Sequence, residues 1–129
     1  MNEEALSIFA EAAQDMASAG LELALGRHFI CVDICNQVVE KSFQAVSMLR
    51  DGHRTMYDHD LRALGEAVGA PPTILEDAAA LSPYHPETYY AEVPPEEADQ
   101  TISAEETQLL MQRARRVLHW ARGIIIESP

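Results

Sequence analysis

The stretch Cys31-Val-Asp-Ile-Cys35-Asn-Gln37-Val-Val-Glu40-Lys41-Ser-Phe43-Gln44-Ala-Val46-Ser-Met-Leu49-Arg50 decides the fold. With Phe29 and Ile30 before it, its apolar residues fall on nearly every side of a helix, and such a helix is central and buried. At roughly 1.5 Å per residue, a helix over 27–50 spans about 35 Å, enough for the spine of a small bundle. Gln37, Lys41 and Gln44 follow at four and three residues and project from one side, with Glu40 adjacent. Polar groups amid apolar ones must find partners or they are costly. The middle of the chain therefore holds either an internal polar network or a binding site.

The flanking sequence reads as further helices. Leu6, Phe9, Ala13 and Met16 predict a buried stripe on a first helix over 3–19, with Gly20 as a stop signal and residues 21–26 as a short connection or a frayed continuation. Asp51-Gly52 ends the central helix, and a polar turn runs from His53 to Asp58. A short third helix starts near Asp58, carries Leu61, Leu64 and Val68, and ends at Gly69 before Pro71-Pro72. Thr73 and Glu76 form a capping box for a fourth helix through Leu81. Residues 83–102, with four prolines, three tyrosines and neither lysine nor arginine, predict an irregular connection. Ser103-Ala-Glu-Glu106 is a second capping box, opening a last helix to Ile126 with Leu110, Val117, Leu118, Ala121 and Ile125 inward. The expectation is one all-α domain over 1–129, an up-and-down bundle of about five helices.

Composition narrows the function. Against 21 acidic residues stand nine basic ones, and the net charge of −12 repels a phosphate backbone, so generic DNA binding is not expected. No 18-residue apolar run is present, and Met1-Asn-Glu-Glu has no basic, apolar leader, so a cytoplasmic protein without membrane contact is expected. Cys31 and Cys35 read as buried, reduced thiols. His28 shares their helical side but a fourth ligand is missing, so neither a metal nor a cofactor is expected. Arg113, Arg115, Arg116, His119 and Arg122 form the only basic cluster, with Arg115, His119 and Arg122 on one face. That cluster either holds a phosphate or acidic surface, or pairs with the acidic stretch between Glu87 and Glu106.

Several motifs carry a family resemblance. An amphipathic first helix precedes Gln37-Val-Val-Glu40-Lys41; then come Gly52-His53, His59-Asp60-Leu61-Arg-Ala-Leu64 and the late Tyr84-His85-Pro86-Glu87. In order and spacing this resembles the HEPN domain, over nearly the whole chain. The resemblance implies a helical bundle that forms a homodimer and is often paired with a minimal nucleotidyltransferase. It also implies nucleotide binding, or metal-independent endoribonuclease activity in toxin–antitoxin or defence systems. The ligand-binding residues it implies are Gln37, Glu40, Lys41, His59, Asp60 and Tyr84, with Pro86 matching the late motif. Two departures remove positive charge: Gln44 stands where the pattern has a second lysine, and Tyr84 where it has an arginine. The ribonuclease branch carries Arg, four to six residues, then His, later in the bundle and followed by small or aromatic residues. Arg54 and His59 meet that spacing and would be the catalytic pair, His59 as general acid or base and Arg54 on the phosphorane charge. The leading expectation is an interaction protein that binds a nucleotide or a nucleotidyltransferase-type partner. The alternatives are the ribonuclease and a structural dimeric scaffold.

Overall fold

A computed structural model describes residues 2–55, 60–85 and 93–127, with the side chains of 95 and 96 excepted. Within them are six helices: α1 Glu3–Ala24, α2 His28–Asp51, α3 Leu61–Ala67, α4 Pro72–Leu81, α5 Pro95–Thr101 and α6 Ala104–Glu127. The protein is all-α, and the described residues contain no strand. Even Ile124, Ile125 and Ile126, the one β-like run, are helical. No helix is long and apolar enough to cross a membrane.

The four long helices alternate in direction. Asn2 bonds to Met48 and Lys41 to Asp15, so α1 and α2 are antiparallel. His28 meets Ile102 and Phe43 meets Trp120, so α6 runs parallel to α2. Asp77 contacts Arg113 and Arg116, while Ile74 and Trp120 border one groove, so α4 opposes α6. The result is an up-and-down bundle with α3 and α5 as short connecting helices.

The central helix is as buried as its sequence requires. Phe29, Cys31, Val32, Cys35, Val38, Val39, Phe43 and Val46 are at most 1% exposed and form the main core with residues of every other helix. Gly52 closes α2 in the left-handed conformation, φ 79°, its N–H bonded to the Met48 carbonyl. Gly65 is small for a packing reason. A Cβ there would stand 2.8 Å from Leu75 Cδ2 and 3.0 Å from the Phe43 ring.

Three boundary readings and one buried stripe are corrected. α1 does not stop at Gly20 but continues to Ala24, because the left-handed turn is made by Gly26, φ 75°. Its buried stripe is Ala5, Ile8, Ala12, Met16 and Ala19, which exposes Ala13 and leaves Leu6 and Phe9 partly buried. Along that stripe the fully buried Ala5, Ala12 and Ala19 alternate with the larger Ile8 and Met16. α4 begins at Pro72 with Pro71 as N-cap and no side-chain cap, so Thr73 and Glu76 do not form the capping box. Proline at the first helical position has no N–H to satisfy there and its φ is already helical. Within the stretch read as irregular, Pro95–Thr101 is helical, anchored by buried Ala98 and Ile102 and by Asp99, which accepts from the Phe29 N–H at 2.9 Å.

Candidate functional site

Four α2 side chains of the motif region open on one cleft. Gln37, Glu40, Lys41 and Gln44 line it with Arg54 and His85, around a volume of about 580 Å³. α2 supplies the first four at helical spacing. Arg54 arrives from the segment after Gly52, which is strapped to α2 by Ser47: its hydroxyl donates to the His53 carbonyl at 2.7 Å, accepts from the Thr55 N–H at 3.1 Å and meets the Thr55 hydroxyl. His85 arrives from the turn after α4, whose Leu81 carbonyl accepts from the Tyr84 N–H at 3.1 Å.

The charges in this cleft are unequally committed. Lys41 Nζ donates to Asp15 Oδ2 at 2.7 Å, with Glu11 Oε2 at 3.8 Å, so its charge is matched by α1. Gln44 is 3% exposed and accepts from Arg54 Nη2 at 2.6 Å, while its amide donates to Glu40 Oε1 at 3.5 Å. Arg54 has no carboxylate partner among the described residues. Its guanidinium thus rests on the residue that stands where the family pattern has its second lysine, and returns a cation to that position.

Asp33 and Gln37 extend the same face of α2. Gln37 Nε2 donates to Asp33 Oδ1 at 3.4 Å. Burial raises the Asp33 carboxyl above its ordinary value near 3.8, against the opposing pull of the Gln37 bond and the His85 charge. A carboxyl raised on folding loses its stabilising contribution between its unfolded and folded values, because above them the fold must hold an ion it disfavours. Stability from this group is therefore lost as pH rises from about 4 through the folded value. Asp33→Asn keeps the Gln37 bond, and we expect it to exceed the wild type at pH 7 by roughly half a kcal/mol, given the solvent screening of a partly buried group. In urea titrations that advantage should fade below about pH 4, where both states of the wild type are protonated.

Other expected site residues lie elsewhere. Asp60 is exposed and N-caps α3, its carboxylate accepting from the Ala63 N–H at 3.0 Å. Tyr84 is partly buried against the core rather than on the cleft wall. His59 and Pro86 lie outside the described residues. His28 is turned to the Ile102 carbonyl, 2.9 Å from Nδ1. Cys31 and Cys35 are fully buried, and Cys35 is pushed well up by its bond to Cys31 and by burial, so it stays a thiol. Among the described residues no three His, Cys, Asp or Glu side chains converge as a metal site.

The basic cluster on α6 divides. Arg116 grips Asp77 with two bonds, 2.9 and 2.8 Å, and Arg113 adds a third at 3.2 Å. Two of the arginines therefore pair with α4. Asp77 went unnoticed in the sequence, although its place between Ile74, Ala78 and Leu81 put a carboxylate inside an apolar stripe. Asn36 was missed likewise: fully buried, it donates to the Leu81 carbonyl at 2.8 Å, where α4 ends. Arg113 and His119 also meet the arginine–histidine spacing, with Trp120 and Ala121 following, later in the bundle. Six residues along a helix set them on different sides, and His119 instead shares a groove with Arg115 and Arg116.

The HEPN domain family model matches residues 5–124. Neither the curated proteins nor the solved structures gave a match. The match spans all six helices from within α1 to near the end of α6. The chain therefore belongs to the HEPN domain family, whose functions are nucleotide- or RNA-related.

Proposed function

We propose that the cleft of Gln37, Glu40, Lys41, Gln44, Arg54 and His85 is a nucleotide-binding site of a non-catalytic HEPN interaction protein, which forms a homodimer and works with a nucleotidyltransferase-type partner. The observation that carries this reading is the Arg54 guanidinium on Gln44, a cation without a carboxylate partner among the described residues. Around it stand an amide, a carboxylate and an imidazole, groups that can read the donors and acceptors of a base. One such cation suits a single phosphate group better than a polyphosphate chain, and the −12 net charge acts in the same direction.

At about 100 times its dissociation constant, a bound nucleotide stabilises the fold by about 2.7 kcal/mol. Thermal unfolding with ATP, GTP, NAD and cyclic nucleotides should therefore show an upward shift of several degrees for at least one. Arg54→Ala should abolish that shift. Flat melting temperatures across the whole panel would sink the nucleotide reading.

Arg54 on the cleft wall also favours a second reading, a metal-independent endoribonuclease using Arg54 and His59. Purified protein would then cleave RNA in chelator, and Arg54→Ala and His59→Ala would each stop it. Cleavage that survives both substitutions would exclude this pair.

A further inference from the structure

Away from the motif cleft, Ile74, Gln112, Arg115, Arg116, His119 and Trp120 line a groove of about 610 Å³ between α4 and α6. It meets a smaller cleft of about 230 Å³ beside Leu23 and Met111, the two sharing Gln112 and Arg115. From Gln108 to Trp120 the path follows α6 for about 18 Å, at roughly 1.5 Å per residue.

Its surface combines two chemistries. Arg115 and His119 line the groove, and Arg122, three residues past His119, continues their exposed face beyond the lining; none of the three has a carboxylate partner among the described residues. Arg116 and Arg113 share the single charge of Asp77, so that trio keeps one net positive charge, and Arg115 and Arg122 add two unpaired ones among the described residues. Beside these cations run Ile74, Leu23, Met111 and the Trp120 ring, which is held edge-on to buried Phe43 with centroids 5.9 Å apart. A cationic stripe beside an apolar one complements a helix or strand bearing carboxylates on one side and apolar residues on the other.

We propose that this groove docks an acidic amphipathic segment of a partner protein, its carboxylates on Arg115 and, just beyond the lining, on Arg122, and its apolar side chains on Trp120 and Ile74. A nucleic acid fits less well. Its charge continues beyond the groove onto the surface of a chain of net charge −12, whereas a short segment confines its charge to the cations.

Trp120 is the only tryptophan, so its emission reports the groove directly. The probe is a tryptophan-free glutamate–leucine peptide with helical periodicity, about a dozen residues long to match the path. It should change Trp120 emission saturably, and Arg115→Glu and Arg122→Glu should each weaken binding about tenfold, as should added salt. Both arginines are exposed, and circular dichroism would verify the helical fold of each variant. The proposal is overturned by an absent response, by an equal response to the peptide with glutamine for glutamate, or by tighter binding of oligouridylate. It is equally overturned if emission changes with protein concentration alone and sedimentation shows a second copy on the groove.

Discussion

Phe43→Ala is expected to lower the unfolding free energy by about 3–5 kcal/mol. The ring is fully buried in the middle of α2 and meets Trp120 of α6 edge-to-face. The space that Gly65 leaves without a side chain is filled by this ring and by Leu75. Three helices thus meet on one side chain, and the cavity left behind cannot close unless they move together. For a domain of this size the melting temperature should fall by more than about 10 °C. Total stabilities of small domains are about 5–15 kcal/mol, so the variant should be marginal at 37 °C. Phe43→Leu, which keeps most of the volume, should cost about 1.5 kcal/mol or less. Urea titration measures both, and near-equal losses would show that α3 and α6 are not packed through this ring.

The second large effect is at Asp77. Its side chain is 6% exposed and accepts three bonds from two guanidinium groups, joining α4 to α6. A stranded buried charge costs about 3–5 kcal/mol. Here the groups left behind by Asp77→Ala are arginines whose side chains are 39% and 54% exposed, which can rehydrate. The expected loss is therefore smaller, about 2 kcal/mol, within the range of hydrogen bonds to charged groups. The Arg116 guanidinium is held above its ordinary pKa by its bond to Asp77, so this arginine stays charged throughout the physiological range. A double-mutant cycle of Asp77→Ala with Arg116→Ala should give a coupling of about 1 kcal/mol or more. Additive losses would mean that the pair contributes nothing beyond its separate parts.

Most of the bundle was legible in the sequence because its determinants are local and periodic. The nearly continuous apolar faces around Val38, Val39 and Phe43 made α2 central, and Ser103 does cap α6, accepting from the Glu106 N–H at 3.0 Å. What escaped depends on partners distant in sequence. Asp77 is intelligible only with Arg113 and Arg116, and the turn after α1 depends on the conformation of Gly26 rather than on the presence of Gly20. The site divided in the same way. Gln37, Glu40 and Lys41 share a cleft because helical spacing puts them there, and their order, together with the Gly52-His53, His59-Asp60 and Tyr84 to Glu87 motifs, carried the resemblance that the family model bears out. Neither the α1 carboxylates that take up the charge of Lys41 nor the reach of Arg54 back to Gln44 has a local sequence signal. The lysine singled out by the motif is thus the neutralised cation, whereas the arginine read only as half of a catalytic pair rests on Gln44 and has no carboxylate partner among the described residues.

The most direct test of the nucleotide cleft is where a nucleotide acts on the protein. In an amide-resolved nuclear magnetic resonance titration with the nucleotide giving the largest thermal shift, the side-chain NH₂ signals of Gln37 and Gln44 should move first and saturate together. Arg54→Ala should leave them unmoved at the same concentration. Perturbation confined to Gln112 and the Trp120 indole, with Gln37 and Gln44 still, would contradict the account and place the nucleotide on the α4–α6 groove.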